Sequence, residues 1–112
     1  NYKSYKLTDE TRNFIKLETV AKALNEGWKP TTIDPKEVRY YVWGWNYTDN
    51  GTNAGLLDVN SVDGLGGASA DVGTSLEFKD RDTAKEFARM CKPMIVKYLF
   101  GRDDHENFKF DF

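Results

Sequence analysis

His105 and Cys91, the one histidine and one cysteine among 112 residues, are the side chains best suited to proton transfer or nucleophilic attack. A lone thiol forms no disulfide within the chain and by itself no zinc site. Cys91 recurs in phase with Ala84, Phe87, Ala88, Ile95, Tyr98 and Leu99, a helical apolar stripe that predicts a buried thiol. His105 sits in the acidic stretch 103–106 and has no serine or cysteine placed to complete a triad. The segment Asp58-Val-Asn60-Ser-Val-Asp63-Gly64 has some of the acids of a calcium loop. A helix-flanked loop of that kind wants ligands at positions one, three and five, glycine at six and a glutamate at twelve. Here the third acid falls one residue late and the closing glutamate is missing. Gly64-Leu-Gly66-Gly67 does not lie between a strand and a helix of a βαβ unit and reads as a loop. No catalytic residue, cofactor or metal site is therefore expected, and the chain reads as a non-enzyme.

Aromatic residues offer binding chemistry instead. Residues 39–45, Arg-Tyr-Tyr-Val-Trp-Gly-Trp, have strand composition. Alternation sends Tyr40 and Val42 to one face and Tyr41, Trp43 and Trp45 to the other. If Tyr40 and Val42 face the core, the other three rings form an open aromatic surface for a partner protein. With Arg39 beside them they could also stack a base or sugar. The opposite assignment buries the larger rings, and a third covers the outer face by a tail or a second subunit. Phe108, Phe110 and Phe112 alternate in the C-terminal segment. They suit a fourth strand or packed tail within the domain, or a docking segment for a partner.

The elements that position these residues follow from periodicity. Thr8 can cap a helix whose stripe is Phe14, Leu17, Val20, Ala21 and Leu24, with Gly27 as its left-handed cap. Pro30 and Pro35 keep the next connection extended. After the aromatic strand, 46–53 reads as a hairpin loop turning at Asn50-Gly51, and 55–61 as a second strand. Val72, Thr74, Leu76 and Phe78 alternate with Asp71, Gly73, Ser75, Glu77 and Lys79, predicting a third strand with the second set in water. A helix capped by Asp80 or Asp82 follows, kinked at Pro93, where the missing N–H and the ring clash cost about 3 kcal/mol. The expected architecture is α+β, in order α-β-β-β-α. Its three- to four-stranded antiparallel sheet carries the N-terminal and C-terminal helices on one face.

Composition bounds the rest. The chain is one domain, residues 1–112, with a core over about 8–100 and an acidic, Phe-rich tail or edge strand over 101–112. Hydrophobic and charged fractions of 39% and 30% are globular values that argue against wholesale disorder. A net charge of −2 argues against bulk electrostatic capture of nucleic acid or an anionic membrane, though not against a local basic patch. No apolar run reaches the ~20 residues of a membrane span, and no signal peptide is visible. Because the sequence begins at Asn1, processing or trimming of the N-terminus stays open. Two glycosylation sequons, at Asn46 and Asn50, would matter only in a secreted eukaryotic protein.

The run Leu24-Asn25-Glu26-Gly27-Trp28-Lys29-Pro30 after a capped helix, then Tyr40-Tyr41-Val42-Trp43, Ser75-Leu76-Glu77-Phe78 and a helix with Ala84 and Phe87, resembles small uncharacterised proteins of Bacteroidales phages and prophages. The resemblance covers about residues 8–100 and implies a phage or mobile-element setting, in the bacterial cytoplasm or on the virion. The expectation is a non-enzymatic binding or structural accessory protein that acts through a protein partner or self-association. The alternative is a nucleic-acid or nucleotide binder that uses the aromatic sheet face.

Overall fold

A computed structural model describes residues 8–29, 37–45, 55–63 and 76–112. Thr8 begins α1 (Asp9–Asn25) by accepting the Thr11 N–H at 3.1 Å, and Asp9 and Glu10 lie at the positive end of the helix dipole. The helix stops one residue earlier than Gly27 alone would place it. Glu26 itself is left-handed (φ 52°), and Gly27 (φ 88°) continues the turn.

The aromatic segment forms β1 (Val38–Gly44), antiparallel to β2 (Leu56–Asp63), with Tyr41 opposite Asn60, Val42 opposite Val59 and Trp43 opposite Asp58. Hydrogen bonds from Trp45 N–H to Leu56 and from Gly55 N–H to Trp45, at 3.0 and 2.8 Å, carry the ladder one step toward the connection. The Asn50-Gly51 turn, both sequons and the glycine-rich loop lie outside the described residues, as do Pro30, Pro35 and residues 71–75 of the expected third strand.

Phe78, from that expected strand, makes a single antiparallel bridge with Tyr40, exchanging backbone hydrogen bonds of 3.0 and 2.7 Å. The third strand of the sheet is instead the C-terminal β3 (Lys109–Phe110), which runs parallel to β2. The sheet is therefore mixed, in order β1-β2-β3, rather than antiparallel throughout. Its parallel pair is joined by a helical crossover, α2 (Arg81–Phe100), as parallel pairing requires.

Asp80 caps α2 by accepting the Thr83 N–H at 2.7 Å, and Gly101 (φ 66°) closes it. The expected kink is present. Pro93 cannot donate to the preceding turn, and the distortion is absorbed at Cys91, which leaves helical geometry at φ −119°, ψ 20°. The Cys91 thiol is buried, and burial pushes its pKa up.

Leu17 and Ala21 of α1, Val42 and Val59 of the hairpin, Leu76, Phe78 and the stripe of α2 form the main core. The Phe78 and Phe87 rings lie 4.7 Å apart at its centre. Leu57, Val96 and Phe108 form a second cluster. Leu17, Val42, Phe87 and Ile95 border a void of only about 10 Å³, too small for a ligand and too apolar for water. Among the described residues no helix is long and apolar enough to cross a membrane.

Two outcomes test this packing. A Cβ at Gly44 would collide with the Leu56 carbonyl oxygen and come within 2.9 Å of Leu57 Cδ2. Gly44→Ala should therefore cost about 1–3 kcal/mol in urea unfolding. Cys91 should resist a thiol reagent in the native protein and react once the chain is denatured, because the thiolate is the reactive form and burial disfavours it.

Candidate functional site

Alternation along β1 places Val42 in the core, and Tyr40 is half-buried at its margin beneath the Arg81 guanidinium, 5.3 Å from the ring centre. Strict alternation would send Arg39, Tyr41, Trp43 and Trp45 to the other face, away from Val42. The larger rings are thus neither fully buried nor fully open. Tyr41 packs against the core edge, while Trp43 and Trp45 are half-buried and pair with ring centres 4.2 Å apart.

Trp43 and Gly44 also border an open hollow of about 160 Å³ with Tyr98, Leu99 and Phe100, the last turn of α2. Cavities of about 150 Å³ accommodate benzene, so this hollow has room for one phenyl or leucyl group. Among the described residues no charged side chain lines it.

Arg39 stands apart from the aromatic surface. It is 1% exposed, and its Nε lies 3.5 Å from Oε2 of Glu77, which is 0% exposed. Glu77 was expected in water by simple alternation. It is instead interior, because the Tyr40–Phe78 bridge turns Phe78 toward α2 and its neighbour Glu77 toward Arg39. Asn25, also buried, holds this strip in place. Its amide donates to the Glu77 carbonyl at 3.0 Å and its oxygen accepts the Lys79 N–H at 3.4 Å.

Neither Glu77 carboxylate oxygen has a hydrogen-bond partner among the described residues. Burial accordingly raises the Glu77 pKa, the Arg39 charge opposes that rise in part, and Glu37 adds to it. An Arg39 held in this way is not presented for stacking on a base.

The C-terminal phenylalanines pack within the domain. Phe108 is buried and stacks on Phe100 at 5.2 Å, while Phe110 and Phe112 are half-buried and stack on each other at 5.0 Å. The Lys85, Arg89 and Lys92 cations of α2 lie over the last two rings at 5.2 to 5.6 Å, within cation–π range. These cations recur at positions i, i+4 and i+7. That spacing was visible in the sequence, but their partner was not. Neither Asn25 nor Glu77 carried a comparable signal, since each acquires its role from a segment distant in the chain.

His105 and Glu106 lie on a short 3₁₀ turn, with His105 Nε2 3.9 Å from the Glu106 carboxylate. Among the described residues no three His, Cys, Asp or Glu side chains are grouped to hold a metal ion. Comparison with protein-family models, with curated proteins and with solved structures finds no match.

The buried pair makes a double-mutant prediction. Arg39→Met leaves Glu77 interior and without that cation, at a cost of about 3–5 kcal/mol, whereas Arg39→Met with Glu77→Leu recovers most of the loss. A raised folded pKa gives stability that is full below the unfolded value and declines as pH rises through the folded value. Without Arg39 the rise is larger, so urea titrations should show the Arg39→Met deficit shrinking from pH 7 toward pH 4. A deficit independent of pH would contradict a charged Glu77 as its origin.

Proposed function

We propose that this chain is a non-enzymatic binding or accessory module that acts through protein contacts. The observation that carries this reading is the Trp43–Trp45 pair beside the uncharged hollow formed with Gly44 and residues 98–100. Tryptophan and tyrosine dominate the energetic centres of protein interfaces, because they bury large area at low entropic cost. A half-buried ring next to a side-chain-sized hollow suits a partner segment that inserts one phenylalanine or leucine. Gly44, at the edge of the hollow, lets β1 approach β2 closely, since any side chain there meets the Leu56 backbone.

The phage or mobile-element setting implied by the sequence resemblance accords with such a role, in the bacterial cytoplasm or on the virion. Small accessory proteins of this kind need only shape and adhesion, and neither requires grouped titratable residues. Nucleic-acid binding through Arg39 is disfavoured, because its guanidinium is engaged with Glu77 in the interior.

Selection of random displayed peptides on the full chain tests the proposal. Enriched peptides should carry a single aromatic or leucyl anchor and change tryptophan fluorescence on binding. Trp43→Ala and Trp45→Ala, each verified as folded by circular dichroism, should weaken them by about 2 kcal/mol, or roughly thirty-fold in Kd. No enrichment, or peptides whose affinity is indifferent to both substitutions, would remove the surface from consideration.

A further inference from the structure

The C-terminal segment occupies a slot with its own recognition chemistry. One wall is the edge of β2, which accepts the Lys109 N–H at Gly55 and the Asp111 N–H at Leu57, both at 2.8 Å. The other wall is α2. Residues 108–112 run against the direction of α2, so Phe108 lies near Arg102, Phe110 beneath Lys92, and Phe112 beneath Lys85 and Arg89.

Every second residue meets the helix, and the residues between them, Lys109 and Asp111, are exposed. Beyond Phe112 the next β2 acceptor, the Val59 carbonyl, is taken by Arg81 Nη1 at 2.9 Å, which closes the slot at that end. The slot thus reads backbone direction, a Phe-x-Phe-x-Phe spacing and a cation-facing surface. An acidic, aromatic segment matches all three, and Asp103 to Phe112 contains four acids and three phenylalanines.

The tail is held by its side chains more than by its backbone. The β2–β3 ladder spans two residue pairs, and only Phe108 of the three rings is fully buried. Upstream, Gly101 is exposed and left-handed, and the turn that follows is held by Arg102 on Asp104 (2.8 and 2.7 Å), a contact between near neighbours that travels with the tail. Opening at Gly101 would free the tail by breaking the Lys97–Asp103 ion pair (3.2 Å) and lifting Phe110 and Phe112 from the margin of the main core, with the fully buried residues of that core left in place.

We infer that this β2–α2 slot is a self-recognition site, which holds its own C-terminal segment in one molecule and accepts the same segment of a second copy in the same parallel register. An exchanged segment makes every contact of the original one, so the two states differ mainly in the geometry around Gly101 and in the cost of association. In one molecule the short connection gives the tail a high effective concentration, so exchange stays minor until the resident tail is loosened.

The probe is a fluorescent peptide with the sequence of residues 102–112, titrated against the full chain and followed by anisotropy. Two variants loosen the resident tail differently. Asp111→Pro removes the N–H donated to Leu57 and leaves all three rings, while Phe110→Ala with Phe112→Ala keeps Phe108 and vacates the cation-facing positions. Each should bind the peptide at least about tenfold more tightly than the unaltered chain, and adding Lys85→Glu with Arg89→Glu should abolish that gain. Equal affinity for the unaltered and loosened chains, or tight binding that survives the charge reversal, overturns the inference. Because two loosened variants are used, one that fails to fold leaves the other to decide.

Discussion

Placing a guanidinium and a carboxylate together in the interior is the constraint on which this fold turns. Taking both charges out of water costs several kcal/mol per ion, and a Nε–Oε2 separation of 3.5 Å returns only part of it. Arg39 and Glu77 therefore bind their two segments tightly in register. If Phe78 slipped by one residue against Tyr40, it would leave Phe87, and Glu77 would lose Arg39. The Asn25 amide reinforces the same register by bonding on both sides of Phe78. One buried polar strip thus ties the end of α1 to the approach of α2 and to the outer edge of β1.

With that strip fixed, the remaining surfaces follow. Val42 and Val59 are held toward α1 and α2, and Trp43, the next residue after Val42, borders the last turn of α2. Gly44 lets the hairpin close tightly at the point where α2 ends, and the hollow lies between the two. The kink at Cys91, forced by Pro93, lets the α2 stripe stay on the core over its whole length, so that Val96 meets Leu57 and Phe108. The tail then has an apolar anchor from which to reach the β2 edge.

Much of the fold was legible in the residues. Capping by Thr8 and Asp80, the stripes of both helices, the β1–β2 hairpin and the proline kink depend on interactions within a few residues or on strict periodicity, which the sequence displays directly. The candidate surface was legible in part. Alternation put Val42 opposite Trp43 and Trp45, and in the structure Val42 is buried while both tryptophans are half-buried. It also put Glu77 in water, which failed because alternation says which residues share a face and not whether that face is covered. The parallel placement of β3 was hidden for a related reason. Period two identified Phe108, Phe110 and Phe112 as one row but carried no information about which edge, or which direction, the row would take.

The sequence alone therefore determined the local elements, the single buried thiol and the candidate aromatic rings, because helix and strand periods are set by backbone geometry within each segment. Only the tertiary structure decided that Arg39 turns inward to Glu77, that the phenylalanine row lies under Lys85, Arg89 and Lys92, and that Trp43 borders a hollow at the end of α2. Each of these is a contact between distant segments. Burial, charge pairing and ring stacking across such distances depend on how whole elements pack, and no spacing within one element encodes that.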